Sequence, residues 1–217
     1  MRKYKYVLLD LDGTLIYSHL GIFSCFRKVL QKRGLPSPTD EELKKCVGPS
    51  LYYSFKNFFD MTDEEAWAAT REYREEYGKT GVYENEPIEG AIEALQAMKT
   101  HGYILALATS KPQPYAEKIA QRLGFVPYLS VLVGCGFDGS FPTKADVVEE
   151  AMRRLGARAE ECLMVGDRKY DIEGAREKGV DGALLKIGYG EEGEETLCNP
   201  DYVFNNFADL TAFLSEK

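Results

Sequence analysis

Several short stretches of the chain are apolar without interruption: Tyr6-Val7-Leu8-Leu9, Tyr103 to Ala108, Val131 to Val133, and Leu163 to Val165. Runs of this length with no alternating polar position predict strands buried on both faces, as in a parallel sheet. Helical periodicity lies between them. Ile88, Ile92 and Leu95 share one helical face, as do Val147, Val148, Ala151 and Leu155. Strand and helix alternate from residue 88 onward, which predicts an α/β fold built on a doubly wound parallel sheet.

After the first strand the alternation breaks. From about residue 17 to residue 86 the pattern is helical and offers no strand: Ile22-Phe23-Phe26-Val29-Leu30, then Leu51-Phe55-Phe58, then a charged helix carrying Trp67, Tyr73 and Tyr77. Gly34, Pro36, Pro38, Gly48, Pro49 and Asp60 supply the breaks. The expected organisation is a core of residues 1–16 and 87–217 with an α-helical cap inserted as residues 17–86.

Candidate chemistry gathers where the strands end. In Asp10-Leu11-Asp12-Gly13-Thr14 two carboxylates follow a buried strand, and an open parallel sheet binds ligands beyond the carboxyl ends of its strands. Neighbouring carboxylates repel, so a cation sits there or one of them holds a proton. A hard, oxygen-binding ion such as Mg2+ suits carboxylates, phosphate and water, and a protonated second carboxyl serves a leaving group as general acid. Gly13 permits a close turn that brings backbone N–H groups to a phosphate. Asp167 and Asp171 in Gly166-Asp167-Arg168-Lys169-Tyr170-Asp171 follow another apolar run and reach the same edge. Thr109-Ser110-Lys111 follows the run ending at Ala108, and Pro112 behind it suits the first turn of a helix, so hydroxyls and free N–H groups form a phosphate cradle there. Lys144 stands ahead of the amphipathic stretch Ala145 to Leu155. The acidic run Glu191 to Glu195 reads as a solvated loop.

Charge narrows the partner. The 217 residues carry 27 basic and 35 acidic side chains, a net charge of -8, which opposes nucleic acid as the main partner. The five cysteines are scattered and form no C-x-x-C pair, as expected of reduced thiols in a cytoplasmic protein. The N-terminal apolar stretch meets Asp10 too soon for a signal peptide or membrane span.

Asp10-x-Asp12-Gly13-Thr14, Thr109, Lys144 and Gly166-Asp167-x-x-x-Asp171, in that order, resemble the motifs of the haloacid dehalogenase superfamily phosphatases, in the branch that carries a helical cap after the first strand. The resemblance covers nearly the whole chain and implies a Rossmann-like core. It implies Asp10 as nucleophile, Asp12 as general acid and then base, Thr109 as phosphate hydrogen-bond donor and Lys144 as counter-charge. Asp10, the backbone carbonyl of Asp12, and Asp167 would hold Mg2+, with Asp171 supporting the metal shell. Gly13, Thr109, Ser110 and Lys144 would contact the phosphate, and Gly48, Pro49 and Ser50 of the cap the rest of a small phosphorylated metabolite. Gly188-Tyr189-Gly190 resembles members that act as phosphoglycolate phosphatases or 5'-nucleotidases. Two alternatives share the scaffold: a phosphosugar mutase, and a non-catalytic binding protein, which the intact Asp10, Asp12, Lys144 and Asp167 disfavour. Asp12 also speaks against a dehalogenase, which has no use for a second acid.

Overall fold

The computed structural model describes residues 4–138 and 140–216. The chain enters through β1 (Tyr6–Leu9) and β2 (Ile16–Tyr17) and passes through α1 (His19–Lys32), α2 (Asp40–Lys44), α3 (Leu51–Phe58) and α4 (Asp63–Lys79). It continues as β3 (Glu86–Pro87), α5 (Ala91–Thr100), β4 (Ile104–Pro112), α6 (Gln113–Arg122), β5 (Leu129–Cys135) and α7 (Lys144–Leu155). The last elements are β6 (Cys162–Gly166), α8 (Lys169–Glu177), β7 (Asp181–Leu185), α9 (Glu194–Cys198), β8 (Tyr202–Phe204) and α10 (Phe207–Ser215). Two compact units result: Ser18–Glu86, and the residues up to Tyr17 together with those from Pro87 onward.

The larger unit is the α/β sheet. Six strands run in the order β5-β4-β1-β6-β7-β8, and every neighbouring pair is parallel. β1 lies in register between β4 and β6, with Leu8 opposite Ala106 on one side and Met164 on the other. Alternate residues explain the uninterrupted apolar runs. Tyr6, Leu8, Ala106, Ala108 and Met164 pack with Val147, Val148 and Ala151 of α7 and with Ala175 of α8. Val7, Leu9, Leu107 and Val165, pointing the other way, are fully buried as well. Strands β7 and β8 extend the sheet beyond what the apolar runs predict.

The smaller unit is helical. Phe26 of α1 lies 4.9 Å from the rings of both Phe55 and Tyr73, drawing α3 and α4 onto one aromatic core. Capping boxes start α2 (Thr39 with Glu42) and α4 (Thr62 with Glu65). Lys28–Glu76 (2.7 Å) and Arg33–Glu72 (2.8 Å) tie α1 to α4. Tyr52 stacks on Trp67 at 4.6 Å, while Tyr53 is exposed. Among the described residues no helix is long and apolar enough to cross a membrane.

Candidate active site

The acidic site grows from the carboxyl ends of β1 and β6, the two central strands. Asp10 is the first residue past β1, and its amide still donates to Val165 O (3.0 Å), so the sheet fixes its backbone. Asp167 follows β6 directly, and Asp171 lies in the first turn of α8, where its Oδ2 accepts the Arg168 amide at 3.1 Å. All three carboxyl groups are buried, and one oxygen from each lies within 4.8 Å of the others.

Lys144 reaches this cluster from the start of α7. The helix begins there because Thr143 and Asp146 form a capping box. The lysine stem runs against α8, where Gly174 leaves room: a Cβ at that position would come within 2.7 Å of Lys144 Cγ. Its ammonium lies 2.6 Å from Asp10 Oδ1 and 2.8 Å from Asp171 Oδ1, and donates to Ala108 O at 3.2 Å. Asp12 stands apart, with both oxygens taken by Lys111 Nζ at 2.8 and 2.9 Å.

Two glycines let the backbone close on Asp167. Gly13 has φ +83, and a Cβ there would fall 2.2 Å from Asp167 Oδ2. A Cβ on Gly188 would fall 2.1 Å from Gly13 O and 2.2 Å from the same Oδ2. In the space this leaves, the Tyr189 amide donates to Asp167 Oδ2 at 2.6 Å and Thr14 Oγ1 donates to Oδ1 at 3.3 Å.

The charges do not balance. Three carboxylates face one ammonium, leaving two negative charges, because Lys111 is spent on Asp12 and Arg168 on Glu194. Burial pushes the Asp10 carboxyl up to about 6, against the pull of Lys144, with Asp171 adding to the rise. Burial, then the charges of Asp171 and Asp10, raises Asp167 well above the ordinary carboxylate range. Burial alone would lower Lys144, but Asp10 and Asp171 outweigh it and the ammonium is held above its usual range. A compact, all-oxygen donor set with two excess negative charges fits a hard divalent cation.

The segment from Thr109 to Pro112 lands differently from the expectation. Pro112 is the cap residue preceding α6 rather than part of its first turn, and β4 continues through it with a register shift after Thr109. Thr109 and Lys111 therefore belong to the irregular end of a strand, Thr109 buried with its Oγ1 accepting the Lys111 amide at 3.2 Å, while Ser110 is exposed. Asp138 accepts the amide and hydroxyl of Ser140, as a turn aspartate does, whereas Gly139 lies outside the described residues. Gly48, Pro49 and Ser50 belong to the helical unit, where Ser50 Oγ accepts the Tyr53 amide and caps α3.

The acidic run Glu191 to Glu195 corrects the sequence reading. Glu194 is buried, not solvated, and grips Arg168 through both oxygens. A string of glutamates carries no mark of which one turns inward. Only the neighbouring glycine, Gly193 at φ +85 just before α9, hints at a change of direction.

Residues 7–185, which span every acid of the site, match the model of the haloacid dehalogenase-like hydrolases. The chain belongs to that family. It is 35% identical over 195 residues to a 5'-nucleotidase of Pseudomonas aeruginosa, covering 90% of this chain and 87% of that one. It is 36% identical over 185 residues to the tyrosine-protein kinase PtkA of Mycobacterium tuberculosis, covering 85% of this chain and 62% of the kinase. Among solved structures, a predicted phosphatase from Clostridium acetobutylicum superposes with a TM-score of 0.95 at 32% identity over the full length of both chains. The haloacid dehalogenase-like chain described here is a phosphoric monoester hydrolase.

Proposed function

We propose that the chain is a magnesium-dependent phosphatase that hydrolyses small phosphate monoesters through an aspartyl-phosphate on Asp10. The observation that carries the reading is the buried contact of Lys144 with Asp10 and Asp171 beside Asp167, a carboxylate nucleophile inside a fixed electrostatic frame. Asp10 attacks phosphorus, the ester P–O bond breaks, and Asp12, once it has left Lys111 Nζ and taken a proton from solvent, gives that proton to the leaving oxygen. Asp12, now a carboxylate, takes a proton from water. That water attacks the phosphorus, releasing inorganic phosphate and regenerating Asp10.

Lys144 neutralises charge on the transferring group while Gly13, Thr109 and Ser110 orient it. Asp10, the backbone carbonyl of Asp12, and Asp167 would hold Mg2+, which when bound offsets the excess negative charge of the site and of the phosphate. Both oxygens of Asp171 are already engaged, by Lys144 and by the Arg168 amide, which supports an orienting role for it. The helical unit acts as the cap, with Gly48, Pro49 and Ser50 selecting the organic group. The 5'-nucleotidase relative makes 5'-nucleotides the first substrates to try, with phosphoglycolate next. All five cysteines are free thiols, which suits the cytoplasm.

Asp10→Asn should fold normally and lose turnover, and wild-type enzyme quenched in acid during turnover should carry phosphate on Asp10. Label on any other residue would overturn the assignment. Chelation should abolish turnover and Mg2+ restore it. A phosphosugar panel scored for free phosphate against isomerised sugar phosphate separates hydrolase from mutase.

A further inference from the structure

A buried ion pair joins the far end of the chain to the metal-binding edge without touching the reacting atoms. Glu194 opens α9, and both its oxygens accept from Arg168 Nε (3.1 and 3.2 Å), with Arg168 Nη2 on Oε1 at 2.9 Å. Glu194 Oε2 also accepts the Lys169 amide at 3.1 Å, the first backbone N–H of α8. The side chains are 5% and 4% exposed, so water contributes little to either partner. Arg168 is the residue after Asp167, and its own amide is held by Asp171 Oδ2. Upstream of Glu194, the same loop supplies the Tyr189 amide that holds Asp167 Oδ2 at 2.6 Å.

We infer that Glu194 is a positioning residue for the metal site: by clamping Arg168 and the start of α8, it fixes the directions in which Asp167 and Asp171 present their oxygens. The inference rests on the magnesium-dependent reading given above. A desolvated ion pair is a weak source of stability, because an apolar pair of the same volume does as well. What the guanidinium fork adds is direction, since two parallel contacts fix a plane where a single point charge would not. The pair is spent on the two residues flanking the α8 start, between the acids at 167 and 171. Partners one step removed from metal ligands set affinity through that kind of orientation. The clamp also explains why one glutamate of an acidic run is buried while Glu192 is exposed.

The test is Mg2+ binding to the purified full-length protein by isothermal titration calorimetry, with melting temperatures recorded in parallel. Glu194→Ala should raise the Kd for Mg2+ at least about tenfold, and Glu194→Gln, which keeps an acceptor for the Lys169 amide, should fall between it and wild type. Glu192→Ala should change Kd less than about twofold, the size expected of a solvated charge. The Arg168→Met/Glu194→Ala double variant should weaken binding no more than the worse of the two single changes, because the two side chains act as one unit. A melting temperature that drops in Glu194→Ala while Kd stays within twofold of wild type would overturn the inference and leave the phosphatase reading intact. If the alanine variant fails to fold, the glutamine variant decides on the same criterion. Failure of the wild-type protein to bind Mg2+ would overturn both.

Discussion

Lys144 Nζ lies 2.6 Å from Asp10 Oδ1 with both side chains buried, so the nucleophile and its counter-ion are desolvated together. Removing one member of such a pair leaves the other unpaired, at a cost of about 3–5 kcal/mol. Lys144→Met should therefore lower the melting temperature by several degrees and reduce kcat on p-nitrophenyl phosphate by at least about a hundredfold, the scale seen when one charge-stabilising donor is lost. Lys144→Arg should not rescue it. A planar guanidinium cannot replace an ammonium that contacts Asp10, Asp171 and Ala108 O at once from beside Gly174.

Gly188→Ala is a second test of the same site, because the added Cβ would fall 2.2 Å from Asp167 Oδ2. The loop must retreat and take the Tyr189 amide with it. We expect the Mg2+ concentration for half-maximal rate to rise by about tenfold or more, with a near-normal far-ultraviolet spectrum.

Away from the site, Glu150 accepts hydrogen bonds from Arg153 and Arg154 at 2.7 Å each, and these hold its carboxyl down at about 2. A carboxyl depressed on folding stabilises the protein above its unfolded value, near 4.5, and that contribution disappears as the pH falls toward 2. Glu150→Gln should melt below wild type at pH 7, and the gap should narrow from pH 4.5 downward. A gap that stays constant or widens in acid would show that the arginines do not favour the charged form. Arg153 is largely exposed, so the effect at neutral pH should be modest.

Ser50→Trp probes the helical unit. The hydroxyl caps α3, so its loss should destabilise by about 1 kcal/mol whichever substrate is offered. The added bulk should act differently, lowering kcat/KM unequally over a panel of phosphate esters and sparing the smallest. Equal loss across the panel would mean that the Gly48–Ser50 segment does not select substrates and that only the cap was felt.

Legibility from sequence followed burial. β1, β4 and β6 announced themselves because strands covered on both faces admit no polar position, and the acids that follow them were found with them. β7 and β8 did not, since Asp181 and Gly182 open the one and the other is a run of only three residues. Lys111 was read as part of a phosphate cradle. Its ion pair with Asp12 spans 99 positions and leaves no local pattern. Glu194 was misread for the same reason: its partner lies 26 residues away, and composition alone sends a run of glutamates to solvent.

The central place of β1 constrains how the molecule is made. Its neighbours are β4 and β6, so the first strand synthesised has no partner until residue 104 arrives and only one until residue 162. At about 5–20 residues per second, the later wait lasts roughly eight to thirty seconds on the ribosome. Over that interval Tyr6-Val7-Leu8-Leu9 offers unpaired edges, the exposure that invites pairing with another chain. The helical segment Ser18–Glu86 is continuous in sequence and forms a compact unit of its own, so its internal contacts need no such wait. Emerging next, it can become compact while the strand still waits, and a destabilised Ser18–Glu86 should show first as aggregation during synthesis, before any loss of activity in the chains that finish.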